Sequence, residues 1–496
     1  VSQHDDEAHL ESLGYTQELS RRMSAFSNFA MAFSVICILA GGLTSLHLGL
    51  SSVGGASIGY GWPFSCLFSV CTALAMGQVA SAFPTAGGLY HWASILGGRG
   101  WGWLTAWFNL AGLITVLSAI NVGIYTFAVG SLGPIWGFES DANTQVLVVL
   151  LITLSQALLN HLGIRLTSLL IDISCYLIMA VTVVLVGALL VYSPSHDFSR
   201  LFTFTNYSGA AGGGVWPASQ NLAFLFLLGL QLPAYTITGF DASAHTAEET
   251  KGASVAVPKA IVFAVVSSSI FGWVMLSTIV MAIPNLAEGI SHGDKVFFFT
   301  MAAVLPKWLC ALLYLGCGVA QYLCGLATVT SSSRMVYAFA RDGGLPLSSQ
   351  LRQISPGYLT PVKAIWTVAL LSVGFASFSK VYSTIAVVCT IFLYISYVLP
   401  ITLGLFAYRR SWTKMGPWDL GGFFRVAATL SVIGCSGLIY IGVQPPNELA
   451  LKIIAVFLMV TGIVWFGSEK RRFLGPPLGP QTNLPEMTFS PSEVSR

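Results

Sequence analysis

The chain has 496 residues, 55% of them hydrophobic and only 9% charged, with a formal net charge of +3 and a mean hydropathy of +0.75. Soluble domains carry about 25% charged residues, so these values exclude a soluble protein and point to a chain that crosses a membrane many times. The small net charge says nothing about nucleic acid, but no basic patch interleaved with aromatics is present, so no nucleic-acid partner is expected. The nine cysteines all lie in apolar stretches, without a CxxC pair or a matching histidine spacing. They read as small core residues, so no disulfide frame, metal or other cofactor is expected.

Residues 1–24 are polar and lack the pattern of a signal peptide, so they read as a cytoplasmic tail. A hydrocarbon core of about 30 Å needs about 20 apolar residues per helix. That rule predicts twelve spans, at 25–50, 59–82, 101–131, 144–161, 167–192, 221–246, 257–283, 308–340, 361–378, 382–408, 424–444 and 449–467. Orientation follows from Lys and Arg placement. With the N-terminus inside, only Arg200, Lys295, Lys307, Lys380 and Lys452 of the 23 Lys and Arg fall outside. Both termini are therefore expected in the cytoplasm, the Pro/Ser-rich residues 469–496 as a second tail, with the plasma (inner) membrane as the location.

In the first span Gly41-Gly42 precedes Thr44-Ser45. Each glycine costs about 1 kcal/mol in a helix interior, so this stretch reads either as unwound or as a close-packing surface. After the second span, residues 83–92 (FPTAGGLYHW) are too apolar for a solvent loop and too broken for one helix. They suggest a re-entrant or interfacial element. In the third span Asn109 and Asn121 are candidates to line a cavity, with interhelical hydrogen bonding as the alternative. The sixth span breaks at Thr238-Gly239 and then places Asp241 at membrane depth. A charge there costs roughly 2.5–3.5 kcal/mol on insertion scales and marks a functional site by default. Breaks at matching positions of spans one and six point to an inverted five-helix repeat with substrate bound between them. On that division 25–192 is the first repeat, 221–408 the second, and 424–467 carries two further helices. Glu248, Glu249 and Lys251 follow as a charged exit. The eighth span ends in the hydroxyl run Thr328, Thr330, Ser331, Ser332 and Ser333, which suits an ion site or bonding to backbone carbonyls.

The stretches FSNFAMAFSVICILAGGLTS, AFPTAGGLYHWAS, TGFDASAHTAEETKGASVAVPKAI and SSSRMVYAFARDGGLP occur in that order. Together they resemble the amino acid–polyamine–organocation superfamily, and within it the amino acid/choline transporter branch. The motifs recur across roughly residues 13–363. The resemblance implies an all-α integral membrane protein with twelve transmembrane helices in a five-plus-five inverted repeat (LeuT-like), helices one and six unwound at mid-membrane, and transport by alternating access. It assigns the substrate carboxylate to backbone N–H groups of Gly41, Gly42, Leu43, Thr44 and Ser45, where a half-helix N-terminus offers donors and about +0.5 charge. It assigns the ammonium group to carbonyls of Ile237, Thr238 and Gly239, an aromatic gate to Tyr235 and a covering role to Phe240. Asp241 becomes a coupling or gating acid.

Two departures bear on coupling. Sodium-coupled relatives carry two adjacent hydroxyls on helix eight, whereas here Ala327 precedes Thr328. Proton-coupled relatives use a lysine in helix five, and span five has none; its Asp172 lies near the cytoplasmic edge, within reach of Arg165. Coupling to H+ through Asp241, coupling to Na+, exchange and facilitated diffusion all stay open. The expected function is secondary transport of an amino acid or related amine such as GABA. The alternatives are a choline or polyamine permease, with an aromatic cage for the cation, and a non-transporting nutrient sensor. The expected partners are the small-molecule substrate, the lipid bilayer and a second copy of the chain. Scattered histidines and few buried carboxylates argue against an enzyme.

Overall fold

The computed structural model describes residues 3–137, 141–378 and 382–477; most of the predicted C-terminal tail lies outside these. The described residues are helical, with no β-strand among them beyond two isolated bridges, Met23 to Thr250 and Tyr408 to Trp412. A bilayer leaves backbone groups no partners except their own helix, which is what the apolar runs provide. A polar N-terminal helix α1 (Gln3–Ser12) comes first. The first span is three helices, α2 (Ala25–Ile36), α3 (Ile38–Thr44) and α4 (Leu46–Val53). Ser24 starts it, its hydroxyl accepting the Ser27 N–H at 3.0 Å. Then follow α5 (Trp62–Ala82), α6 (Leu89–Gly97), α7 (Arg99–Trp136), α8 (Ala142–His161) and α9 (Ile164–Tyr192).

The sixth span is equally divided, into α10 (Leu222–Gly229), α11 (Gln231–Thr236) and α12 (Ala242–His245). After it come α13 (Ala253–Ala282), the short α14 (Leu286–Ser291) and α15 (Val296–Val304), and α16 (Lys307–Arg341). The chain closes with α17 (Ser348–Leu351), α18 (Val362–Phe378), α19 (Tyr382–Ala407), α20 (Phe423–Gly442), α21 (Glu448–Val464) and α22 (Lys470–Arg472). Ten helical stretches among the described residues are long and apolar enough to cross a membrane. Two shorter apolar helices, Leu222–Thr236 and Val362–Phe378, fall on the predicted sixth and ninth spans. The sixth is short because it is interrupted.

The interrupted helices form the centre. Of the first span 89% is buried, against 17% for Glu448–Arg472 at the periphery. α2 packs on α13, α9 and α16, and α19 on α7 and α20. All nine cysteines are buried and free, as core residues should be.

One expectation needs correction, and two stretches gain detail. The first span does not unwind at Gly41–Ser45. Gly41 to Thr44 are helical, and the break lies at Cys37 (φ 31°), with a second kink at Ser45 (φ −101°, ψ 2°). Gly41 instead serves close packing: a Cβ there would lie 3.0 Å from the Thr236 Cα. Residues 3–24 fold against the chain after α12, where Met23 pairs with Thr250. The 83–92 stretch is a turn followed by the nine-residue α6, whose Tyr90, His91 and Trp92 are buried.

Candidate functional site

The second break carries a dense polar arrangement. α11 stops at Ile237 (φ −94°, ψ 62°) and the chain turns at Gly239 (φ +81°). Only glycine suits this point: φ is left-handed, and a Cβ would collide with Val35 Cγ1 in the first span. The turn delivers Asp241, fully buried, into a ring of donors. Tyr397 Oη on α19 donates to Oδ1 at 2.7 Å and accepts the Gly239 N–H at 2.9 Å. Asn109 Nδ2 on α7 donates to Oδ2 at 2.9 Å. His245 Nε2, one turn further along α12, lies 3.2 Å from the same oxygen. Phe240 is buried against the Tyr397 ring at 4.9 Å between centroids. Thr238 Oγ1 turns back to the Tyr235 carbonyl at 2.8 Å.

The first break faces this region from the other side. Its freed carbonyls are met by α16: the Cys324 thiol lies 3.4 Å from the Val35 oxygen, and Gln321 Nε2 3.4 Å from that of Leu39. The breaks therefore meet twice, Gly41 against Thr236 and Val35 against Gly239. Beyond the first, Thr44 Oγ1 and Tyr382 Oη share a 2.6 Å hydrogen bond, and the Tyr382 ring stands edge-on to Tyr235 at 6.0 Å. A cavity of about 200 Å³ opens on the far side of this closure, lined among others by Leu43, Thr44, His47, Asp294 and Tyr382.

The opposite end of the bundle is sealed by charge. α16 runs 35 residues, about 50 Å at 1.5 Å per residue, so its end is remote from the Asp294 cavity near its start. Glu249 receives Arg334 through Nε at 2.9 Å and Nη2 at 3.0 Å, both side chains fully buried. Glu248 takes Arg341 through two bonds of 3.0 and 2.9 Å. Its Oε1 also accepts the Ala86 N–H at 3.0 Å, from the turn before α6. Such two-pronged pairs offset the desolvation that a buried charge incurs. Burial pushes the Glu248 carboxyl up, and the Arg341 guanidinium with the Ala86 N–H pulls it back below the usual glutamate range. Tyr15 and Tyr90 both donate to Asp342 Oδ2 at 2.8 Å, and Arg341 lies over the Tyr15 ring at 3.9 Å. Arg21 donates to the Thr250 carbonyl at 2.7 Å.

The structure thus gathers Gly41, Thr44, Tyr235, Thr238, Gly239, Phe240, Asp241 and Asn109 around the two breaks. It does not gather Asn121, whose amide binds Thr153 at 2.8 Å and Gln156 at 3.0 Å on α8 as interhelical bonding. Thr328 Oγ1 bonds the Cys324 carbonyl of its own helix at 2.9 Å, the commoner use of such a hydroxyl. Asp172 takes a hydrogen bond from Ser27 Oγ at 3.0 Å, with no ion pair to Arg165 among the described residues. Sequence reasoning missed Tyr397, Tyr382 and His245. For His245 a signal existed: it stands four residues after Asp241, on the same helical face.

The family described as Amino acid permease matches residues 23–467. Amino-acid permease BAT1 of Arabidopsis thaliana is 32% identical over 94% of this chain and 95% of its own length. The BAT1 homolog of Oryza sativa subsp. japonica is 32% identical over 95% of each. An uncharacterized amino-acid permease of Schizosaccharomyces pombe is 27% identical over 98% of this chain and 88% of its own. The chain belongs to the amino acid permease family of the amino acid–polyamine–organocation superfamily, and is a multi-pass membrane transporter rather than an enzyme.

Proposed function

We propose that this permease moves an amino acid or related amine by alternating access, binding it between the two helix breaks. The observation that carries the reading is that the two interrupted spans pack on one another, Gly41 against Thr236 and Val35 against Gly239, and that the second break is followed by a buried carboxylate, Asp241, held by Tyr397 and Asn109. The ammonium end belongs at the carbonyls of Ile237, Thr238 and Gly239. There Asn109 Oδ1 is a buried acceptor without a partner among the described residues. The carboxylate end belongs at the first break, from Cys37 to Ser45. Phe240 lies under Tyr397, so Tyr235 with Tyr382 is the better cover for a bound substrate.

In this reading the twelve predicted spans form the five-plus-five repeat over 25–192 and 221–408. The charged seal closes the cytoplasmic side, in keeping with the Lys and Arg bias, and the Asp294 cavity faces outward in the plasma membrane. α21 is the face open to lipid or to a second copy. The test is a competition screen in proteoliposomes, with labelled L-amino acids challenged by GABA, polyamines and choline. Saturable uptake or counterflow of an amino acid supports the reading; saturable binding without flux makes the protein a sensor, and selectivity for choline moves it to the amine branch.

A further inference from the structure

The loop between α19 and α20 carries positive charge that its own neighbourhood does not neutralise. Residues 408–422 read YRRSWTKMGPWDLGG, and Arg425 follows at the start of α20. Arg409 and Arg425 both lie on the Tyr408 ring, 5.3 and 5.6 Å from its centroid. Arg410 and Lys414 are exposed in the same loop. No carboxylate pairs with any of the four among the described residues. Asp419, the single acid of the loop, accepts the Gly421 N–H at 2.9 Å. On the acidic helix α1, Asp6 accepts the Gly252 N–H at 2.7 Å and, with Glu7, lies near Arg21. Two guanidinium groups over one ring repel one another, and an anion beside them relieves the repulsion.

The same loop walls a cavity of about 160 Å³ that shares no residue with the two helix breaks. Leu13, Phe83, Leu96, Trp412 and Met415 give it an apolar side, and His9, Thr413 and Lys414 a polar one. A cavity of about 150 Å³ takes a molecule the size of benzene, so this one takes a short length of acyl chain and leaves a headgroup at the rim. The wall is fixed in place. Ser81 Oγ accepts the Trp418 N–H and Gln78 Oε1 the Leu420 N–H, both at 2.9 Å from α5, and Trp412 Nε1 donates to the Lys414 carbonyl at 2.9 Å. Trp412 joins the cavity to the charge: it lines the one, and its ring stands 6.0 Å from that of Tyr408, which carries both guanidinium groups. Lys and Arg that only orient a chain need charge alone. A fixed wall and an adjoining cavity are what a ligand needs.

We propose that this cavity binds an anionic phospholipid, its phosphate among Arg409, Arg410, Lys414 and Arg425 and the start of an acyl chain against Phe83, Leu96 and Trp412. Basic pockets at the ends of transmembrane helices recognise such headgroups. The lipid also touches His9 and Leu13, so it joins α1 to the bundle. The chain after α1 reaches Asp342 through Tyr15. A ligand that binds only the docked arrangement stabilises it, so occupancy holds the N-terminal segment against the charged end. The site stands whatever the permease carries.

The experiment uses the full chain in dodecyl maltoside micelles with equal amounts of phosphatidylglycerol and phosphatidylcholine. Native mass spectrometry reads the retained lipid, and protease cleavage within residues 13–24 reads the docked segment. The wild type should retain phosphatidylglycerol in preference, and adding that lipid should slow the cleavage. Each cation near an anionic lipid contributes about fivefold in affinity. The triple variant Arg410→Gln, Lys414→Gln, Arg425→Gln should therefore bind it about a hundredfold more weakly. Thr413→Trp, which fills the cavity and keeps the charges, should lose the lipid independently. Glycerol 3-phosphate, the headgroup chemistry without chains, should leave the cleavage rate unchanged. Equal retention of the two lipids by the wild type overturns the inference, and so does wild-type retention in either variant. Full protection by glycerol 3-phosphate also overturns it and makes the site one for a free anion.

Discussion

The two ends of the bundle are held together by different means. Toward the Asp294 cavity the barrier is one hydrogen bond, Thr44 to Tyr382, and one edge-on aromatic contact, Tyr382 to Tyr235. Toward the end of α16 it is one buried and one part-buried Arg–Glu pair, a part-buried aspartate with two tyrosine donors, and the folded-back N-terminal segment. A neutral hydrogen bond contributes about 1 kcal/mol net, while breaking one buried ion pair costs about 3–5 kcal/mol. On these magnitudes the first set of contacts is the weaker one and the second is the one more sensitive to loss of a single partner.

The largest effect is expected from Arg334→Met, which strands Glu249. It should destabilise the closed end by about 3–5 kcal/mol, and the double variant with Glu249→Leu should recover most of the loss. Melting in detergent and protease cleavage within residues 13–24 report it; equal stability of the single and double variants would show that the pair is not desolvated in solution. Tyr15→Phe comes next. It removes one of two donors to Asp342, and about 1.5 kcal/mol should appear as faster cleavage of the same segment.

Acid should separate the ends as well. The Glu248 carboxyl lies below its ordinary range in the folded protein, so its stabilisation is present above that range and is lost only as pH falls through the lowered value. The melting difference between wild type and Glu248→Gln should hold down to the ordinary carboxylate range and narrow as pH falls from there through the lowered value. A difference that narrows on approaching that range from above would contradict the Arg341 pairing. The smallest effect is Tyr382→Phe, about 1 kcal/mol. It should speed substrate access from the cavity side in counterflow without changing the melting temperature by more than a degree or two.

The spans were legible because lipid forces backbone satisfaction within each helix, and long apolar runs announce that requirement. The short α14 and α15 carried no such signal. In the sixth span, Gly239 and Asp241 declared themselves by local chemistry: a left-handed turn and a charge at depth. The first break did not. Glycine at 41 and 42 looked like the weak point, yet the chain turns at Cys37, where its carbonyls find donors on α16. Those donors, Cys324 and Gln321, are 289 and 282 residues from their acceptors, so no local window contains the reason. Asn109 and Asn121 made the same point: identical side chains on one helix, one drawn to the carboxylate and one to α8, decided by which neighbours the bundle presents.

The folded-back N-terminal segment has a consequence for biogenesis. Tyr15 reaches Asp342 across 327 residues of chain, and Glu18 reaches Tyr337 across 319. During synthesis these residues leave the ribosome before their partners, which follow only once α16 has been made. Long-range contacts of this kind form late and slowly. Until then Tyr15 and Glu18 lack these partners, so the docking of the segment belongs to the last stage of folding of the bundle.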